Sequence, residues 1–155
     1  MNRREVLSAV SMGVGSAALL GAQSARGQEP HHHHDKLHGE CLKACSECAN
    51  ICNETFHHCF EKVKDGHADH HVVTILTIDC QEFCGLASEL LARESPMIPV
   101  VCVACADACM MCAAECSKHG DPQMKECTAA CKACETACRA MAKAAGEAKP
   151  EVPGR

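Results

Sequence analysis

Apolar and polar positions alternate along the chain with helical rhythm in four successive stretches. In the first, Glu40, Lys43, Glu47 and Glu54 lie off a line of uncharged residues recurring every three or four positions. That pattern predicts a helix from about Leu37 to Lys64, stopping at Gly66, a residue suited to the position just past a helix end. Asp69 is placed to cap a second helix, from His70 to about Arg93, with Val73, Leu76, Leu86, Leu90 and Leu91 read as core. Ser95-Pro96 and Pro99 mark the approach to a third, from about Val100 to Lys118, ahead of Gly120. Asp121-Pro122, a cap followed by proline in the first turn, opens a fourth that runs to Ala145 and ends at Gly146. Four helices joined by loops of a few residues predict an all-α fold, an antiparallel up-down-up-down four-helix bundle forming one domain over residues 37–146. Residues 147–155 carry two prolines and read as a flexible tail.

Cysteine holds the inward line. In the third stretch Cys102, Cys105, Cys109, Cys112 and Cys116 are spaced 3, 4, 3, 4. At about 100° per residue they fall within an arc of roughly 80°. Cys41, Cys45, Cys48, Cys52 and Cys59 (spaced 4, 3, 4, 7) and Cys127, Cys131, Cys134 and Cys138 (spaced 4, 3, 4) repeat the device, and Cys80 and Cys84 form a shorter pair. These ladders contain all sixteen cysteines, and eleven of their twelve internal steps are three or four residues; only Cys52 to Cys59 is longer, at two full turns. Cysteine packs in cores as a small hydrophobe, but packing alone does not demand such regularity. Three Phe with no Tyr or Trp also leave little bulk for a conventional core, so a cysteine-lined interior is expected.

Composition narrows the remaining classes. A chain of 155 residues is one domain plus short extensions, and a net charge of -5 with scattered Lys and Arg gives no footprint for nucleic acid. Residues 1–27 read as a twin-arginine-type export signal: Arg3-Arg4-x-x-Leu7, then an apolar run from Val6 to about Ala22, with cleavage placed after Ser24 or Gly27. This implies an exported, periplasmic bacterial protein with no membrane anchor after cleavage. The twin-arginine route passes folded proteins, so thiols arrive in an oxidising compartment already buried or metal-capped. Residues 28–36 form a linker rich in histidine, His31 to His34, with His38 close behind. The tract is either a metal chelator or a polar spacer.

What sixteen inward thiols bind follows from their spacing. Neighbouring positions on a helix face have Cβ atoms about 5–6 Å apart and a disulfide needs about 3.8 Å, so only cross-helix bridges are open. The Cys-x-x-Cys-x-x-Cys run of bacterial ferredoxins is missing. Zinc takes closed sets of four ligands, and nothing divides these ladders into fours. Cu(I) is soft, accepts two or three sulfurs, and fits a Cys-x-x-x-Cys pair such as Cys41/Cys45 or Cys127/Cys131 with a third thiol from a facing helix. The first ladder climbs about 27 Å at 1.5 Å per residue, a length suited to many ions. Multiple Cu(I) ions per chain is therefore the leading reading. A zinc or other soft-metal buffer, or a disulfide-containing structural or redox protein, is the alternative. No Cys-x-x-Cys opens a helix beside a βαβ pattern, so the chain is not expected to be an enzyme.

These residues resemble the Cys-rich four-helix-bundle copper storage proteins of bacteria, in their exported twin-arginine branch. The resemblance covers about Leu37 to Ala145. It rests on Cys45-x-x-Cys48-x-x-x-Cys52, His58-Cys59-Phe60-Glu61, Val103-Ala-Cys105 through Glu115-Cys116, and Glu126-Cys127 through Cys138. It implies copper storage by the cysteines, a homo-oligomer, in particular a tetramer, and a copper-donating or copper-receiving protein as partner. Exported members tend to carry methionines at the bundle mouth. Here the antiparallel arrangement gathers His57, His58, His67, His70, His71 and His119 at one end with Met124, and Met97, Met141 and the N-terminal tract at the other. His58, His67, His71 and His119 are candidates to pass ions inward to Cys59, Cys116 or Cys127, against the plainer alternative of solvated histidines at helix ends.

Overall fold

The computed structural model describes residues 32–147; the leader, His31 and residues 148–155 lie outside them. Helix α1 is His32–Lys64, a 3₁₀ turn covers Ala68–His70, α2 is His71–Ala92, α3 is Ile98–Cys116 and α4 is Pro122–Glu147. α1 and α3 each pack against both α2 and α4 and occupy one diagonal, the square section expected of an antiparallel bundle. α3 is long and apolar enough to cross a membrane by length and composition alone, with mean hydropathy 1.7. Its apolarity comes in part from five cysteines on the line that α2 and α4 cover.

Each helix contributes one inward line in strict three-four alternation. Along α1 it is His38, Cys41, Cys45, Cys48, Cys52, Thr55 and Cys59; along α2, His70, Val73, Thr77, Cys80, Cys84, Ala87 and Leu91. Along α3 it is Ile98, Cys102, Cys105, Cys109, Cys112, Cys116 and His119; along α4, Met124, Cys127, Cys131, Cys134, Cys138 and Met141. A seven-residue repeat keeps each line facing its neighbours over the whole length, as in a coiled-coil seam. The long step from Cys52 to Cys59 is no gap in this register. Thr55 fills it, fully buried, with its hydroxyl donating to the Ile51 carbonyl at 2.7 Å and accepting from Gln123 Nε2 at 3.0 Å.

The same register moves two predicted core leucines outward. Leu86 is 47% exposed and Leu76 only partly covered, because Ala87 and Thr77 hold the inward positions beside them. α1 also begins at His32, ahead of the predicted Leu37, since no proline interrupts the segment after Pro30. α3 starts at Ile98 with Pro99 in its first turn, and Ser95 Oγ accepts the Met97 N–H at 3.2 Å. Asp121 caps α4 as expected, accepting the Met124 N–H at 3.1 Å. Asp69 does not cap α2. It lies in the 3₁₀ turn, with its carboxylate 3.3 Å from His70 Nδ1 and 3.8 Å from His119 Nδ1.

α1 and α2 end in the same hydrogen-bond pattern with different residues at its strained position. After α1, Gly66 N–H bonds Val63 O and His67 N–H bonds Lys62 O, with Gly66 at φ 95°. After α2, Glu94 N–H bonds Leu91 O and Ser95 N–H bonds Leu90 O, with Glu94 at φ 50°. Both are Schellman caps, and the left-handed residue in such a cap favours glycine. Glu94→Gly is therefore expected to stabilise the apo protein and Gly66→Ala to destabilise it, each by about 1 kcal/mol. Urea titration followed by circular dichroism measures both.

Candidate metal centre

The alternation brings the ladders into contact across the bundle. All sixteen thiols are free and fully buried. The closest sulfurs are Cys45 and Cys138, 3.4 Å apart, and Cys41 lies 3.8 Å from Cys138. At mid-length Cys48 is 3.9 Å from Cys109 and 3.7 Å from Cys131, while Cys80 is 3.7 Å from Cys109 and 3.9 Å from Cys131. One turn along, Cys84 is 3.6 Å from both Cys105 and Cys109 and 3.8 Å from Cys134. Further toward the histidine end Cys52 meets Cys127 at 3.9 Å, and Cys112 lies 3.9 Å from Cys116. α2 contributes thiols only in the two middle layers, where its line carries Cys80 and Cys84 between Thr77 and Ala87.

These separations suit metal ligation. A metal–sulfur bond of about 2.3 Å sets sulfurs roughly 4.0 Å apart around a trigonal ion and roughly 3.8 Å around a tetrahedral one. Several four-thiol groups close enough to hold an ion overlap: Cys48 and Cys80 belong with Cys52 and Cys131 and also with Cys84 and Cys109, and Cys105 and Cys134 likewise serve two groups. The interior is a continuous field of shared sulfur rather than a row of separate cages.

At one end the α2 and α3 lines finish in histidine, and His58 of α1 lies next to them. His70, 7% exposed, faces His119 with ring centroids 4.3 Å apart; His58 and His67 lie 6.3 and 6.1 Å from His70. His58 Nε2 is 3.5 Å from Asp121 Oδ1. Of the four histidines expected to admit ions, His58 and His119 thus join this cluster, His67 borders it from an exposed position, and His71 is exposed in the first turn of α2. The central member is His70, marked in sequence only by its place three residues before Val73 on the α2 line. At the opposite end Leu91, Ile98 and Met141 are buried.

The thiol pool carries its own electrostatic signature. Burial pushes the Cys59 thiol up to about 12, with Cys127 and Asp121 adding to the shift. Hydrogen bonding to Cys109, Cys112 and Cys127 pushes Cys131 above the ordinary thiol range, and contacts with Cys105 and Cys109 do the same for Cys134. Charge in this dry interior is tolerated only where something neutralises it.

A closed four-helix bundle lined from wall to wall by thiolate donors, with imidazoles at one mouth, defines a multi-ion soft-metal binding protein. The chain belongs to the copper storage protein family, whose pattern it matches over residues 33–143. It is 36% identical over 89 residues to the cysteine-rich protein YhjQ of Bacillus subtilis (strain 168), covering 56% of this chain and 79% of that one. The structure is similar to that of the Cu(I)-bound copper storage protein BsCsp3, with TM-score 0.62, 33% identity, and 68% and 98% of the two chains covered. A cytosolic copper storage protein from Streptomyces lividans, solved with five coppers, shares the fold at TM-score 0.65 and 23% identity, with 71% and 95% covered.

A thiol whose pKa is raised by folding stabilises the fold while unfolded thiols stay protonated, below their ordinary 9.0, and that contribution is lost as pH climbs toward about 12. The reduced apo protein is expected to hold its Tm up to about pH 9 and lose it progressively above. The Cu(I)-loaded protein, its thiols already deprotonated, should lack that alkaline loss. Circular dichroism melts across the pH series test this.

Proposed function

We infer that this chain sequesters many Cu(I) ions through Cys41, Cys45, Cys48, Cys52, Cys59, Cys80, Cys84, Cys102, Cys105, Cys109, Cys112, Cys116, Cys127, Cys131, Cys134 and Cys138. The overlap of the four-thiol groups carries this reading. Zinc in four thiolates leaves two negative charges per site in a buried interior, whereas one Cu(I) per thiolate leaves none. Shared sulfurs also bridge neighbouring Cu(I) ions readily, since each needs only two or three. Ions enter at the histidine end, where His58, His67, His71 and His119, with His70 between them, precede Cys59 and Cys116. They then pass down the tube from thiolate pair to thiolate pair. Every thiol engaged gives up its proton, so loading releases protons and weakens in acid.

The test is an anaerobic Cu(I) titration of the reduced, leader-free protein against a competing chelator, with zinc in parallel. Uptake approaching one Cu(I) for each of the sixteen thiols is expected, with proton release and displacement of zinc. Saturation at about four zinc ions with weak Cu(I) binding would make the chain a zinc buffer.

The chain acts as a binder, not a catalyst: its thiols are wholly covered, so a substrate larger than an ion does not reach them. Export to the periplasm is the reading carried by Arg3-Arg4-x-x-Leu7, and a copper-donating or copper-receiving protein would meet the histidine end. Self-association is supported by the outer face of α2 and α3, where Ile75, Phe83, Leu86, Val100, Val103 and Met111 are all at least 41% exposed. The tetramer is what the family resemblance implies. Phe83→Glu combined with Val103→Glu should reduce the assembly to single chains in sedimentation velocity while leaving the helical spectrum intact.

A further inference from the structure

Among the described residues, His70 Nε2 is buried with no polar partner, while His70 Nδ1 and His58 Nε2, also buried, face carboxylates without forming well-directed hydrogen bonds. An orphaned buried nitrogen is costly, and one on His70, with the His58 and His119 rings on either side, points to a missing ligand. The surrounding donors come from every helix junction at this end. His58 projects from α1, Asp69 and His70 from the 3₁₀ turn, and His119 and Asp121 from the α3–α4 connection. Asp69 reaches His70 Nδ1 at 3.3 Å and His119 Nδ1 at 3.8 Å, and Asp121 lies 3.5 Å from His58 Nε2. Imidazoles sharing one ion at about 2.1 Å hold their ring centroids roughly 5 Å apart. The separations of 4.3 Å for His70–His119 and 6.3 Å for His58–His70 bracket that value.

The donor set differs in kind from the thiol pool below it. Nitrogen and carboxylate oxygen suit borderline divalent ions, and two carboxylates balance a charge of two, which Cu(I) does not bring. We propose that His58, His70 and His119, with Asp69 and Asp121, bind one divalent transition cation of the Zn(II) class, and that this ion seals the mouth of the loaded bundle. Spanning α1, the 3₁₀ turn and the α3–α4 connection, it ties three elements across the opening and blocks the way out for Cu(I). The seal rests on the storage reading; the divalent site does not.

The test uses the full chain with His31 to His34 changed to Asn, so that the tract does not compete, and its thiols saturated with Cu(I). Titration with Zn(II) is expected to give one ion per chain. That ion should be lost in His70→Ala, weakened roughly 10- to 100-fold in Asp69→Asn, and retained in His57→Ala, an exposed neighbour. Circular dichroism checks the fold of each variant. Co(II) added to the Cu(I)-saturated chain should give a spectrum without a thiolate charge-transfer band, and should the thiols fail to take up Cu(I), alkylating them under denaturant before refolding keeps this readout specific to the histidine end. One equivalent of Zn(II) should slow Cu(I) removal by excess chelator several-fold, and not in His70→Ala. Zinc binding unaffected by His70→Ala, or a thiolate band with Co(II), overturns the site. Normal zinc binding with an unchanged removal rate overturns the seal.

Discussion

Thiols share metal in this fold where they point inward and lie within about 4 Å of thiols from other helices, as those of the middle layers do. The seven-residue register meets both demands. Alternating steps of three and four hold each helix line on the bundle axis over its whole length, so the layers repeat instead of drifting to the surface. Cysteine is small enough for four such lines to share one axis. The contacts of Cys48, Cys80, Cys109 and Cys131 at 3.7–3.9 Å follow from that closeness. Substituting a leucine at any of these positions would push the helices apart and break contacts in the layers above and below.

The register also decides the electrostatics. Burial and neighbouring thiols hold Cys59, Cys131 and Cys134 protonated, while hydrogen bonds from their neighbours favour the charged form at Cys48, Cys80, Cys105 and Cys127. Replacing each thiol proton by one monovalent ion leaves the net charge of the interior unchanged on filling. A divalent ion in the same field would leave uncompensated charge, so it belongs at the rim, where carboxylates and solvent are at hand. If the proposed mouth site holds, valence would sort ions between core and mouth without steric selection.

Most of this was legible in the chain. The cysteine periodicity marked the inward faces of α1, α3 and α4 and a soft-metal interior, because one residue type marks one face, and the Gly, Pro and Asp punctuation separated four helices. Where other residue types continue the same line, the signal disappears. Thr55, Thr77 and Ala87 hold inward positions that composition would assign to either face, and Leu76 and Leu86 look like core yet stand beside the line. His70 was obscured by His71, since adjacent histidines are equivalent until the register is known. Asp69 was misread as a cap for a related reason: the imidazoles that draw its carboxylate come from a turn and from a connection fifty residues away.

Reserving the interior for sulfur has a consequence for the outside. Bulky apolar side chains excluded from the axis have to go elsewhere, and they are not spread evenly. α1 and α4 carry charged outer faces, with pairs such as Lys43–Glu47 and Glu135–Arg139, while α2 and α3 expose Phe83, Val103 and Met111. A core of small thiols buries less apolar area than one of leucine and isoleucine, and so contributes less to stability. A face that gathers the displaced hydrophobes on two adjacent helices supplies what the core lacks once another chain covers it. Self-association on this side, as proposed, would leave the histidine end open to ions. The outer apolar face and the inner sulfur field are then two results of one choice of register.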